Sequence, residues 1–262
     1  EILGIHFEGP YLDMKYKGAQ PEQFIAKPSV EQFKHYQEAA HGHIRYVTLA
    51  TEQDDNFELT RYLTSQGIVV SIGHSAATYE QAVMAYANGA RSMTHVYNGM
   101  TPFNHRANGL VGAAYRIRTM YGEIICDGCH STPAALNNYF MSKSRLFYHD
   151  LRCADGKGHP RGQQVHLRRQ RDRDLPGRQR TPDLYRRSGW LYPEHQQGLE
   201  DPCRGCNGTV QLCAERLHHQ PARCLHLDDR KGSIQVGKDA DLVVLEDNYD
   251  VLQTYCKGQA KL

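Results

Sequence analysis

No apolar run in this sequence approaches the roughly 20 residues that cross a bilayer, and no charged-then-apolar leader opens it. These absences predict a soluble, cytoplasmic chain with no membrane partner. An excess of one charge is also missing: formal net charge is only +2, so the overall balance gives no reason to expect nucleic acid. The eight cysteines lack the regular spacing of a small secreted scaffold, which favours reduced thiols over a disulfide framework. What the chain does have is length. Its 262 residues can bury a full core, which predicts one domain plus a small appendage.

From Glu1 to Asp150 short β-rich runs alternate with amphipathic stretches. The strand candidates are Ile2 to Phe7, Ile44 to Leu49, Ile68 to Ile72, Ser92 to Val96, Gly122 to Cys126 and Arg145 to Tyr148. The first of these reads as a buried strand with nothing before it, an expectation of a missing N-terminal portion. Ser29 with Gln32 and Thr78 with Gln81 have capping-box spacing, and Thr132 before Pro133 has the form of a helix start. These signals open helices over Val30 to Ala40, Tyr79 to Asn88 and Pro133 to Ser142, where apolar residues recur at near-helical spacing. Repeated strand-then-helix units predict a parallel sheet, because parallel neighbours need a crossover and a helix supplies one.

Glu8, His74, His95, His130 and Asp150 each fall at, or within a few residues of, the C-terminal end of a different strand candidate. A lone histidine at a strand end is usually packed or solvated. Five polar groups repeating that placement suit a (β/α)8 TIM barrel, whose active site sits at that face. Six strand candidates would leave the barrel two short.

Three strings carry a resemblance: Gly4-Ile5-His6-Phe7-Glu8-Gly9-Pro10, Gly73-His74-Ser75, and Thr94-His95-Val96-Tyr97-Asn98-Gly99-Met100. In this order they resemble the N-acetylglucosamine-6-phosphate deacetylases of the amidohydrolase superfamily. The run Asn104 to Gly112 resembles the family's H-R-E-P-G-x-x-G loop, with Ala107-Asn108 in place of Glu-Pro, and Asp127-Gly128-Cys129-His130 its D-G-x-H. The likeness covers residues 1 to 160 and returns from Pro221, where Val236-Gly237-Lys238-Asp239-Ala240-Asp241 is similar to the amidohydrolase return segment. That segment implies a small β-sandwich remnant over 223–262, after a barrel over 1–222. Leu242 to Leu245 followed by a turn-rich Glu246 to Asn248 independently reads as strand and turn.

The resemblance implies hydrolysis of the N-acetyl group of a sugar phosphate. Glu8, His74 and His95 would ligate one divalent metal ion, zinc by default and iron as another acceptable ion. Asp150, with His149 where the family has Thr, would act as general base and then acid. His130 would bind the acetyl carbonyl or the sugar, Arg106 would grip the phosphate with Asn98 assisting, and Gln20 would line the entrance. His6 lies on the same strand face as Glu8 and would stand behind the metal; His35, His41 and His43 read as structural or exposed. A homodimer is implied as well. Two alternatives stay open: an amidohydrolase acting on a cyclic amide or nucleobase, and an inactive fragment that binds metal or sugar phosphate.

Residues 161–220 lose the pattern. Arg161, Arg168, Arg169, Arg171, Arg173, Arg178, Arg180, Arg186 and Arg187 crowd a stretch with almost no apolar periodicity. At face value this is a disordered or nucleic-acid-binding tract, yet it has almost no aromatics for base stacking. Loose back-translation read one base later yields strings such as G-G-N-E-I-E-I-Y-P-D-G and L-T-S-T-G-G-L-A-G-S-T-L-N, which resemble the family between its D-G-x-H and its C-terminus. The expectation is a compensated frameshift opening near Arg161 and closing near Pro221. Cys203-Arg204-Gly205-Cys206, with Cys213, His218, His219 and Cys224, is then too loosely spaced for a zinc ribbon.

Overall fold

The computed structural model describes residues 2–126, 130–143, 148–150, 215–246 and 251–261. Its frame is a run of parallel strands: β1 Ile5–Glu8, β2 Ile44–Leu49, β3 Val69–Ile72 and β4 Ser92–Met93 form one sheet in that order. β5 Glu123–Ile125 pairs in parallel with β6 Tyr148–Asp150. Backbone hydrogen bonds from Met93 and Val96 to the carbonyls of Tyr121 and Glu123, and from Tyr121 back to Arg91, join β4 to β5. Sequence order and spatial order therefore agree across all six.

Strand alternation sorts the chemistry between two faces. Phe7, Val47, Leu49, Val70, Ile72 and Met93 point one way and pack with the helices in one apolar core. His6, Glu8, Tyr46, Thr48, Ser71 and Thr94 alternate with them, so the opposite face is polar.

The first five helices pack on the apolar face. α1 Val30–Ala39 starts at Ser29, whose hydroxyl accepts from Gln32 N at 3.2 Å; the reciprocal contact is absent from this cap, so only half of the expected box forms. α3 Tyr79–Ala87 has the full box between Thr78 and Gln81. α5 Pro133–Lys143 begins at Thr132, which accepts from Ala135 N. Two helices carry no orthodox start. α2 Glu58–Ser65 is capped by the buried Asp54, whose carboxylate accepts from the amides of Leu59 and Thr60 and from the Thr60 hydroxyl. Its Leu59 and Leu63 are almost fully buried, each contributing about 1.5–3 kcal/mol. α4 Gly109–Arg116 takes its first partners from Thr101, whose hydroxyl and carbonyl accept from Leu110 N and Val111 N.

The expected buried first strand is corrected. β1 covers only Ile5–Glu8 and lies at the edge of its sheet, with Ile2, Leu3 and Ile5 exposed, because no described strand pairs with its outer side. The sixth strand begins at Tyr148 and ends at Asp150, so that residue closes the strand; 144–147 lie outside the described residues.

A π-helical turn, Glu215–His219, runs into α6, Gln220–Cys224. Cys224 and Leu225 pack on Tyr46, Val69 and Tyr121, at the foot of the polar face. The chain finishes in an antiparallel meander of β7 Leu242–Leu245, β8 Val251–Cys256 and β9 Gln259–Ala260. Among the described residues no helix is long and apolar enough to cross a membrane. The arginine tract and Cys203, Cys206 and Cys213 lie outside the described residues.

Candidate metal centre

Glu8 ends β1, His74 follows β3 by two residues, and His95 follows β4 by two. Parallel pairing brings these strand ends side by side, and the three side chains meet. Glu8 Oε1 lies 2.8 Å from His74 Nε2 and 3.1 Å from His95 Nε2, and the two Nε2 atoms are 3.0 Å apart. Among the described residues this is the one group of three or more such side chains whose ligand atoms converge.

The outer ring nitrogens decide what the inner ones present. His74 Nδ1 lies 2.7 Å from the Tyr16 carbonyl oxygen and His95 Nδ1 3.0 Å from that of Asn98. A carbonyl only accepts, so each Nδ1 carries a hydrogen, and in the neutral ring Nε2 then presents a lone pair. Two lone pairs and a carboxylate oxygen then face one another. Such a set repels itself until a cation or a proton joins it, and neutral imidazoles beside a carboxylate are a ligand set for a divalent ion. Burial sharpens the effect, since the His95 side chain is 3% exposed and His74 12%.

Both histidines sit on left-handed backbone, with φ of 48° at His74 and 35° at His95. Non-glycine residues hold such conformations where surrounding contacts over-determine them. At His74 these contacts are explicit. Glu52 accepts from the Ser75 hydroxyl and from Ala76 N, each at 2.6 Å, while Asp13 N donates to the His74 carbonyl and Ser75 N to that of Gly99. Burial holds the Glu52 carboxyl above its ordinary value, against the hydrogen bonds that lower it. Gly18 and Gly99 lie against the His74 ring; a Cβ at Gly99 would stand 3.1 Å from Nδ1.

The remaining candidates are distributed around this centre. Asn98 supplies the carbonyl that orients His95, and its side-chain amide turns back toward the Val96 carbonyl. Arg106 is exposed in a short loop closed by paired backbone bonds between Asn104 and Ala107. Gln20 is partly buried, and its carbonyl accepts from Lys17 Nζ at 3.2 Å. His130 is exposed shortly before α5; Asp127, Gly128 and Cys129 lie outside the described residues. Asp150 is the register partner of Ile125, at the C-terminal end of β6. His6 is exposed and bonds Thr48 rather than joining the cluster, while His35, His41 and His43 are exposed.

Residues 219–261 match the model of the amidohydrolase family. The chain is 37% identical over 265 residues to the N-acetylglucosamine-6-phosphate deacetylase of Bacillus subtilis (strain 168), an alignment covering 98% of this chain and 65% of that protein. Against the Lysinibacillus sphaericus enzyme of that name identity is 30% over 273 residues, covering 100% of this chain and 67% of that one. The crystal structure of N-acetylglucosamine-6-phosphate deacetylase from Thermotoga maritima superposes with a TM-score of 0.78 at 27% identity, over 98% of this chain and 69% of that one. The chain belongs to the N-acetylglucosamine-6-phosphate deacetylase family. It spans about 65% of the length of the Bacillus subtilis deacetylase.

Within a deacetylase-family frame, the residues that sequence reasoning missed are those that hold His74 in place. Glu52 follows β2 by three residues and contacts Ser75 and Ala76, beyond His74, only in three dimensions. Tyr16 contributes through its backbone carbonyl, which no side-chain pattern reports. The signal available was Ala50-Thr51-Glu52 directly after β2, a carboxylate at a strand end like Glu8.

Proposed function

We propose that this chain hydrolyses the N-acetyl group of N-acetylglucosamine 6-phosphate, giving glucosamine 6-phosphate and acetate. The observation that carries this is the meeting of Glu8, His74 and His95 at the C-terminal ends of parallel strands in a deacetylase-family chain. The six-strand run is an arc of a (β/α)8 barrel spanning 1–222, whose mouth is that edge, and 223–262 is a small β-domain segment. The cation is zinc in this reading; when bound it supplies a Lewis acid and can bring the pKa of a water to roughly 7.

The chain's own residues do the rest. Asp150 accepts the proton of the attacking water and returns it to the departing nitrogen, which leaves as an amine. His130 donates to the acetyl oxygen as negative charge builds there. Arg106 grips the phosphate with a planar, multi-donor guanidinium, Asn98 assists it, and Gln20 lines the entrance. The chain acts as a homodimer.

The test is acetate release from N-acetylglucosamine 6-phosphate by purified protein, with metal content measured on the same sample. Acetate formed with about one divalent ion per chain supports the proposal. Metal retained with no acetate released would identify a chain that holds the ion without the reaction and would overturn the catalytic assignment.

A further inference from the structure

The polar face of the sheet carries a chain of hydrogen bonds that the triad does not use. His6 Nε2 lies 2.7 Å from Thr48 Oγ1, Thr48 Oγ1 2.6 Å from Thr94 Oγ1, and Thr94 Oγ1 2.7 Å from Ser71 Oγ. Ser71 hydrogen-bonds the Tyr46 phenol, and Tyr46 donates to the Glu123 carboxylate. Thr48, Ser71 and Thr94 are fully buried and Glu123 nearly so.

Each hydroxyl has one proton to give, and this sets the direction of the whole chain. Tyr46 gives its proton to Glu123, so Ser71 donates to the Tyr46 oxygen. Ser71 then accepts from Thr94, Thr94 from Thr48, and Thr48 from His6. His6 therefore carries a hydrogen on Nε2, the reverse of the arrangement in His74 and His95. Hydrogen bonds aligned head to tail in a buried setting reinforce one another.

The rungs fall on the strands that deliver the ligands. His6 precedes Glu8 by two residues on β1, Ser71 precedes His74 by three from β3, and Thr94 directly precedes His95. Thr48, on β2, is the register partner of both Glu8 and Ser71. Thr48 and Thr94 also close around Gly73, where a Cβ would stand 2.7 Å from Thr48 Cγ2 and 2.8 Å from Thr94 Cβ. Between them they hold the backbone that turns into His74.

We propose that Thr48 and Thr94 are positioning residues for the metal centre: the one-way chain from His6 to Glu123 locks three ligand-bearing strands in the register at which Glu8, His74 and His95 converge. This rests on the divalent-ion reading of the triad. Apolar side chains of the same shape would fill the space but would not tie strand to strand.

The test uses the full chain, stripped of metal with a chelator and titrated with zinc, as wild type, Thr48→Val, Thr94→Val and Thr94→Ser, with Tm measured alongside. Valine keeps the shape and removes the hydroxyl; serine keeps the hydroxyl. Zinc affinity is expected to fall roughly 10–100-fold in both valine variants, the range for losing a group that orients a ligand, and to stay near wild type in Thr94→Ser. Equal zinc affinity in wild type and valine variants overturns the proposal even where Tm drops, because a merely structural role moves Tm alone. A wild type that binds no zinc brings down the divalent-ion reading and this proposal together. Nitrogen-15 NMR of the unaltered chain gives a readout that needs no variant to fold: hydrogen on His6 Nε2 supports a chain running from His6 to Glu123, and a bare Nε2 overturns it.

Discussion

At His74 the backbone, the ring and the next two residues are each held by a different part of the chain: Tyr16 takes the ring N–H, Asp13 binds the carbonyl, and Glu52 ties down Ser75 and Ala76. Removing the Glu52 carboxylate leaves a buried hydroxyl and an amide without their acceptor, so Glu52→Ala should lose about 1–3 kcal/mol, measurable by urea denaturation. Glu52→Gln should lose less, because the Gln amide can accept from Ala76 N and donate to Ser75. The three proposed ligands are a sharper case. Glu8→Gln, His74→Ala and His95→Ala should each weaken zinc binding beyond the roughly 10–100-fold typical of an outer partner, as titration of metal-free protein would record. Glu8, His74 and His95 were legible in the sequence because each stands in a short motif at a strand end. The hydroxyl chain was not, since Thr48, Ser71 and Thr94 look like ordinary strand residues until alternation places them on one face.

Among the elements, helices with side-chain caps close in sequence were readable and those capped from a distance were not. Ser29, Thr78 and Thr132 each sit three residues before the amide they bind. Asp54 reaches amides five and six residues on across an intervening 3-10 turn, and Thr101 reaches nine and ten on, spacings that no capping pattern anticipates. Asp54→Ala should cost at least the roughly 0.5–2 kcal/mol of an ordinary cap, seen as a lower denaturation midpoint. At the far end of α4, Lys143 Nζ donates to the carbonyls of Ala114 and Ile117 from a fully buried position. Burial pulls its pKa down from 10.5 to about 7. Between those values the unfolded chain holds a proton that the folded chain has released, so stability rises with pH across this window and is lost as pH falls through about 7. A neutral amine still has the two N–H groups that the two carbonyls need. Denaturation at pH 6.5 and 9 should show the advantage of wild type over Lys143→Met growing at the higher pH.

For the molecule as a whole, a cation bound only by the folded state adds stability by mass action, about 2.7 kcal/mol at a hundred times Kd. Zinc should therefore raise Tm and a chelator lower it, and neither should act on His95→Ala. The frame that delivers this site, parallel strands in chain order, followed from strand-helix alternation. The exposure of Ile2, Leu3 and Ile5 did not, because edge position depends on which strands pair, a property of the whole sheet. The packing of Cys224 and Leu225 against Tyr46, Val69 and Tyr121 has a bearing on synthesis. Ribosomes make Tyr46, Val69 and Tyr121 well before Cys224 and Leu225, so a growing chain carries the three receiving residues uncovered until the later pair emerges. A chaperone that engages unfinished chains would find that bare floor open until the Gln220–Cys224 helix emerges to close it.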